Sequence, residues 1–322
     1  MAKPKKKRQI PLSRQFAGIY EQFESQALEE AKLVPWRRLA AAVDQYNEWE
    51  SFSLWLRALG NAAQGIPPLV KRELEARIPG FLARVEEDLR AAPGEDPGHR
   101  MWSLVGDWVT VNILFEAKTG GWLDAVHHFA FKSLAYMKTW AHWEQVNREW
   151  RSHPPAEWPT YQQWQKDSAA VRQLPTNPGS EPQQVLDAVL SVSPAEWERF
   201  WSVFLELVAF SLWLELILDV QGPRSQLVAD EIEKRYPGFS FSRPDLPGSE
   251  AVAELHAWVF QHAITEDEQI LAALSWHVDH HPAYHAMRNY AIHCHETWSD
   301  DCANLLPSFD EWRRLTENFT GR

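Results

Sequence analysis

The stretch Phe52-Ser-Leu-Trp-Leu56 returns unchanged as Phe210-Ser-Leu-Trp-Leu214, 158 positions further along the chain. At the same offset, the segment from Glu73 to Phe81 matches the segment from Glu231 to Phe239 in its glutamate, arginine, proline, glycine and phenylalanine residues. A register kept without gaps over this distance is typical of an internal repeat. The sequence therefore predicts a tandem duplication.

A second block of matches follows at a shorter offset. The segment from Pro159 to Trp164 shares its proline and aromatic positions with the segment from Pro307 to Trp312, at an offset of 148. The first copy therefore has about ten additional residues, which we expect in the Pro- and Gly-rich loop from Arg90 to His99. The predicted regions are a basic tail with an N-terminal helix (1–35), the first repeat (36–168), a linker containing Pro and Gly (169–193) and the second repeat (194–318).

Helix signals dominate both copies. In the second copy, Ser193 is placed to cap a helix that has Pro194 at its first position and continues to Asp219. Its apolar residues are too dense for a helix with one solvated face, so it should lie centrally in a bundle. The alternating pattern of strands is missing from the sequence. We expect an all-α fold, a tandem duplication of a four- to five-helix bundle.

Composition excludes some classes of protein. The formal net charge of -12 argues against a surface coated with cations that grip nucleic acid. The segment Lys3 to Arg8 is nevertheless basic, and both a solubilising role and a contact with nucleic acid stay open for it. Cys294 and Cys302 provide no disulfide framework. Because no apolar run looks long enough to span a bilayer, we expect a cytoplasmic protein with no membrane partner.

The second copy carries a polar cluster that the first copy lacks. At an offset of 148, the positions of Arg288 and His293 are occupied by Trp140 and Gln145. This asymmetry is expected if only the second copy is active, and equally if neither copy is active and both have drifted. The histidines of the cluster are His277, His280, His281, His285, His293 and His295.

The segment Tyr284-His-Ala-Met-Arg-Asn-Tyr-Ala-Ile-His293 resembles the signature of the HEPN family, which is an arginine, four to six residues and a histidine. Arg288 and His293 have four residues between them, and Asn289 occupies the polar position that commonly follows the arginine. HEPN proteins are small helical bundles that include many metal-independent ribonucleases of toxin and antiviral systems. The resemblance implies an RNA-binding or RNA-cleaving protein of such a system that needs no cofactor.

The chemistry of these side chains fits that implication. Arg288 would hold the scissile phosphate through its planar, charged fork, and His293 would act as the general acid or base. Asn289 would orient the phosphate or the imidazole, with Glu206 and His295 as supporting residues. The nucleophile would be the 2′-hydroxyl of RNA, so no metal is required. Family active sites usually form where two motifs face each other, which implies a homodimer through the second copy.

A purely structural interpretation of the same residues stays open. In that interpretation Arg288 pairs with Glu296 or Asp279 on the surface of the bundle, and His293 packs in the core. The cluster would then have no catalytic role.

A metal site is another interpretation. His277, His281 and His285 recur every four residues, and imidazole with nearby carboxylates suits zinc, iron or manganese. Pro282 interrupts that repeat, however, and should begin a new helix. The single helical face that such a site needs would then be broken.

The 18 tryptophans suggest an alternative function of another class. The duplicated bundles would form a noncatalytic scaffold that binds a protein partner through Trp-lined surfaces. A contiguous exposed aromatic surface would favour this function. The sequence contains no Gly-rich phosphate loop and no nucleophile elbow, which disfavours chemistry driven by nucleotides.

Overall fold

The computed structural model describes residues 12–91, 94, 96–175, 179–221, 226–243, 245–298 and 306–321. Within these residues it contains sixteen α-helices and no strand, so the predicted all-α fold is confirmed. The basic segment from Lys3 to Arg8 and Cys302 lie outside the described residues.

The first half of the chain contains nine helices. They are α1 (Leu12–Ala31), α2 (Trp36–Ala63), α3 (Pro68–Arg77), α4 (Phe81–Ala91), α5 (Pro97–Asn112), α6 (Phe115–Gly120), α7 (Leu123–Lys132), α8 (Leu134–Ser152) and α9 (Tyr161–Ala169).

The part of the second half that the structure describes contains seven helices. They are α10 (Glu181–Ser191), α11 (Pro194–Gln221), α12 (Gln226–Arg235), α13 (Gly248–Ala263), α14 (Glu268–Asp279), α15 (Pro282–Thr297) and α16 (Phe309–Asn318).

The two halves share helix lengths and packing partners. Helices α2 and α11 both have 28 residues, and α3 and α12 both have 10. Helix α2 packs against α5, α8 and α9, as α11 packs against α13, α15 and α16. These shared features support the predicted duplication.

Matching side chains also make matching contacts. The indole Nε1 of Trp55 donates to the carbonyl of Pro159 at 3.0 Å, and Trp213 donates to Pro307 at 3.1 Å. Each helix that follows this carbonyl begins with a hydroxyl cap, Thr160 before α9 and Ser308 before α16. The repeated Trp therefore fixes the last helix of each half to its central helix.

Only part of the extra length of the first half lies in the loop in which the sequence predicted it. The segment beginning at Phe81 forms α4, whereas the matching segment of the second half, from Phe239 to Pro247, has no helix among its described residues. Helix α6 accounts for the remaining difference. Each half therefore contains more helices than the predicted four or five, because short helices replace segments that we expected to be loops.

The predicted linker contains a structural element. Helix α10 packs against α14 in the second half, as α1 packs against α7 in the first. Its Leu186 also joins Ala141 of α8 and Leu174 in a small buried cluster. Helix α10 is therefore part of the packed protein and contacts both halves.

Helix α11 corrects one expectation from the sequence. Its segment Pro194–Asp219 has 26 residues and contains an 18-residue window with a mean hydropathy of 1.8, so it is long and apolar enough to cross a membrane by length and composition. The expectation that no such run exists was therefore wrong. In the structure 56% of its apolar window is buried, and Leu207, Phe210 and Trp213 lie at the centre of the second core.

Candidate functional site

Helix α15 presents the predicted site residues on different faces. It begins with Pro282 at the first helical position, and Nδ1 of His281 accepts the N–H of Ala283 at 3.2 Å as a cap. Met287 and Cys294, two helical turns apart, face the core. Arg288, like the other residues outside this buried face, must therefore point towards solvent or a neighbouring helix.

Arg288 lines an open groove of about 440 Å³ between α11 and α15. Ile292 and His295, four and seven positions after Arg288, line the same groove because this spacing repeats along one helical face. Both residues are exposed. The other lining residues are Leu212, Glu215, Leu216 and Asp219 of α11, with Ala291 and Glu296 of α15.

Arg288 makes no ion pair with any other residue that the structure describes. The partners expected in the structural interpretation were Glu296 and Asp279. Glu296 lines the groove with Arg288 without forming an ion pair, and Asp279 does not line it. The guanidinium group is therefore open to a ligand.

His293 does not share the groove with Arg288. A residue five positions further along a helix points about 140° away from the first. The ring of His293 instead lies 5.4 Å from that of Phe319 and 6.4 Å from that of Tyr290, on the side of α15 that faces the C-terminal segment. It is exposed there and does not pack in the core. Asn289 is half-buried and does not line the groove.

His295 meets the family spacing as well as His293 does. Six residues separate Arg288 from His295, which is the upper end of the four to six that the HEPN signature allows. One chain therefore brings together Arg288 and His295, and it does not bring together Arg288 and His293. The periodicity of the helix distinguishes His295 from His293, whereas the spacing of the motif alone does not.

Glu206 was predicted to support this site, and the structure places it elsewhere. It forms ion pairs with Arg235 and Arg313, near the packing of α12 and α16 against α11. Glu48, its match in the first half, pairs with Arg77 at 3.4 Å and accepts from Gln165 at 2.8 Å. The recurring glutamate is therefore part of the packing that both halves share.

The matching groove of the first half is filled. The guanidinium carbon of Arg57 lies 4.4 Å from the centre of the Trp143 ring, and Trp140 packs on Trp143 at 4.9 Å. Asn61 donates to Asn147 at 3.2 Å across the same place. At these positions the second half has Glu215, Asp219, Arg288, Ala291 and His295. Replacing two indole rings by Ala291 and an outward-pointing Arg288 opens the groove.

The predicted metal ligands have other contacts. His277 lies between Trp197 and Trp201, with ring centres 5.3 and 5.8 Å away. His281 caps α15, and Nε2 of His285 donates to the carbonyl of Asp279 at 2.9 Å. Among the described residues, no group of three or more His, Cys, Asp and Glu side chains is arranged to hold a metal ion.

The predicted aromatic clusters are present, but they face inward. No tryptophan side chain of the chain is exposed, and all 18 lie within the described residues. Trp55, Trp164, Trp213 and Trp312 are among the largest fully buried side chains. Most of the rings pack in the two cores, whereas Trp201 and Trp258 are half-buried and line an open groove with Glu206 and Arg313.

Two carboxylates of the groove were not predicted. Glu215 and Asp219 lie four residues apart on α11, so they share one face of that helix. The signal was available in the repeat, because their matches Arg57 and Asn61 differ from them in charge.

Comparisons of the chain with protein-family models, with curated proteins and with solved structures found no match.

Proposed function

We propose that the groove between α11 and α15 is a metal-independent RNA-cleaving site. The observation that carries this proposal is the presence of Arg288 and His295 in one open groove with three carboxylates. A permanent cation, an imidazole and a carboxylate are the groups that such a reaction needs, because the nucleophile is the 2′-hydroxyl of RNA itself.

In the proposed reaction, a carboxylate of the groove takes the proton of a 2′-hydroxyl. The freed oxygen attacks the neighbouring phosphorus, and the bond from phosphorus to the 5′-oxygen breaks. The imidazolium form of His295 gives its proton to this leaving oxygen. Arg288 stabilises the negative charge that develops on the non-bridging oxygens. The products are a 2′,3′-cyclic phosphate and a 5′-hydroxyl.

The proposal revises the role of the second subunit. Arg288, His295, Glu215 and Glu296 belong to one chain and line one groove, so both the acid and the base come from the same copy. The homodimer implied by the family resemblance is then not needed to supply a catalytic group. A second copy seated across α15 would still exclude water from the groove, which strengthens electrostatic interactions there.

The charge of the groove predicts weak RNA binding. Glu215, Asp219 and Glu296 outnumber Arg288, so the lining as a whole repels a phosphate backbone. Tight binding of RNA depends on many contacts between cations and phosphates. We therefore expect RNA to be recognised mainly at the scissile phosphate, with a low affinity that changes little with salt.

The test is cleavage of a labelled single-stranded RNA in excess EDTA by the purified full-length protein and by Arg288→Ala. Arg148→Ala is the matched control, because Arg148 also precedes a histidine, His153, by five positions and is exposed on α8. We expect cutting by the wild type and the control and at least a hundredfold loss in Arg288→Ala. Absence of cutting by the wild type, or equal cutting by all three proteins, would contradict the proposal.

The acidic lining favours a second candidate, a noncatalytic interaction protein. Leu212, Leu216 and Ile292 line the groove together with the three carboxylates. This combination fits an amphipathic helix with basic residues flanking its apolar face. A synthetic Leu- and Lys-rich helical peptide should then bind the wild type and not Ile292→Glu. Binding that Ile292→Glu leaves unchanged would contradict this candidate.

A further inference from the structure

A small cavity lies between α2, α5 and α7 in the first half, apart from the groove of α15. It has a volume of about 190 Å³. This volume is below the range of sites that hold drug-sized molecules, so the cavity suits a smaller ligand. Its walls include the aromatic rings of Tyr46, Trp49 and Trp102 and the carboxylates of Glu50 and Asp107.

The second half shows which side chain fills the matching place there. Gly98 of α5 and Gly248 of α13 correspond, because they pack against matching residues of the central helices α2 and α11. Counted from this pair, His256 stands at the position of Gly106, which lines the cavity. A Cβ added to Gly106 would meet no described atom within 4 Å. The place that the His256 side chain takes in the second half is therefore open space in the first.

The serine that lines the cavity lacks the partner of its match. Ser211 donates to the carbonyl of Leu207 at 2.8 Å, and its hydroxyl lies 2.7 Å from Nε2 of His256. Ser53, its match at the offset of 158, is only 1% exposed. Its hydroxyl has no hydrogen bond to another residue that the structure describes. Because buried polar groups in proteins are normally paired, this hydroxyl indicates a missing partner in the cavity.

Glu50 brings a negative charge to the same cavity. It lies three residues before Ser53 on α2, so both side chains share one helical face. Its Oε1 accepts from Nε1 of Trp102 at 3.2 Å, and it forms no ion pair with the residues that the structure describes. Burial raises the pKa of Glu50. Its match in the second half is Val208, so the fold does not require a carboxylate there.

The described residues that line the cavity carry no positive charge at neutral pH. Lysine and arginine are missing from this lining, and burial lowers the pKa of His127, so its imidazole is neutral. The charge of Arg57 acts on Glu50, but its guanidinium stacks on Trp102, 5.0 Å from the ring centre, and does not line the cavity. The cavity therefore combines carboxylates with aromatic rings, and both attract organic cations.

From these features we infer that the cavity binds a small organic cation that carries an imidazole ring and a protonated amine. The imidazole takes the place that the ring of His256 fills in the second half, and it forms a hydrogen bond with the hydroxyl of Ser53. The ammonium group donates to the carboxylate of Glu50 and lies among the aromatic rings of the walls.

The test is isothermal titration of the full-length protein with histamine, which carries both groups. We expect the wild type to bind, and Glu50→Gln to bind about tenfold or more weakly because a charged hydrogen bond is lost. Gly106→His should not bind, because its new imidazole fills the place as His256 does in the second half. Asp44→Asn is the matched control and should bind as the wild type does, since Asp44 is exposed on α2 and does not line the cavity.

Thermal unfolding followed by circular dichroism separates loss of the site from loss of the fold. Gly106→His should unfold at the temperature of the wild type or above it, because it replaces a glycine inside a helix. A lower temperature would show that the space beside Gly106 is not open, and it would overturn the inference.

Two further ligands test whether both groups of the cation are recognised. Imidazole and ethylamine each carry one of the groups, and each should bind at least tenfold more weakly than histamine. The inference is also overturned if histamine does not bind, if Glu50→Gln or Gly106→His binds it as the wild type does, or if imidazole or ethylamine binds as tightly as histamine.

Discussion

The guanidinium group of Arg57 stacks on the ring of Trp143, with its carbon 4.4 Å from the ring centre, and this pair closes the first half where the second half is open. The matching residues of the second half are Glu215 and Ala291. The two halves therefore share their central helices and differ in this groove. The difference is the basis for placing function in the second half.

Removal of Trp143 should destabilise the protein strongly. Trp143 is 8% exposed, and truncation of a buried Trp to Ala costs about 3–5 kcal/mol through lost packing and a cavity. The match of Trp143 is already an alanine, Ala291, so the comparison in the second half is Ile292→Ala, which removes a groove-lining side chain that is 48% exposed and should cost less than about 1 kcal/mol. Urea unfolding followed by circular dichroism measures both. Similar losses would show that the two grooves do not differ as described.

The hydrogen bond from Trp213 to Pro307 should contribute measurably to stability. Trp213→Phe removes the N–H donor and leaves a buried carbonyl without a partner, at a cost of about 1–3 kcal/mol beyond the lost volume. Trp164→Phe is the control, because Trp164 is equally buried and its indole N–H has no partner among the described residues. The excess loss in Trp213→Phe over the control reports the hydrogen bond. An excess near zero would contradict its role in fixing α16.

Buried histidines should make the free energy of unfolding fall in acid. Burial lowers the pKa of His128, His277 and His281 to about 4. The unfolded chain takes up protons near pH 6.5, so it binds more protons than the folded chain between pH 6.5 and about 4. Stability is therefore complete above about pH 6.5 and falls as the pH approaches 4. For His128 alone, the loss amounts to at most about 3 kcal/mol.

Urea unfolding at pH 7.5 and at pH 5 measures this dependence. His128→Gln should lose less stability between the two values than the wild type, because it removes one group that takes up a proton on unfolding. His153→Gln is the control, since His153 is exposed and should change nothing. Equal pH dependence in the wild type and His128→Gln would contradict the assignment.

Arg288→Ala should remove RNA cleavage and leave the stability of the protein unchanged. Arg288 is exposed and has no ion-pair partner among the described residues, so its removal should change the free energy of unfolding by less than about 0.5 kcal/mol. A denaturant midpoint equal to that of the wild type, together with loss of RNA cleavage, is the expected result. A large fall in the midpoint would show that Arg288 has a structural role instead.

The sequence predicted the fold because both copies carry the same helix signals. Ser193 caps α11 as predicted, with its hydroxyl accepting the N–H of Glu196 at 3.3 Å, and α11 begins at Pro194. Helix α4 was missed because the Pro- and Gly-rich segment after it was used to explain the whole change of offset. The apolar density of α11 was attributed to a central place in the bundle, which its burial in the second core agrees with.

The site was predicted only in part. Motif spacing led to Arg288 and gave His293 as its partner, whereas the period of 3.6 residues places His295 on the face of Arg288. The carboxylates of α11 come from another helix, and spacing within one segment carries no information about them.

The most direct test of the central claim is to compare His295→Ala with His293→Ala in RNA cleavage with excess EDTA. The groove contains His295 and not His293, so we expect His295→Ala to lose at least a hundredfold in rate and His293→Ala to cut as the wild type does. Loss of cutting in His293→Ala with normal cutting by His295→Ala would contradict the assignment of the groove between α11 and α15 as the catalytic site.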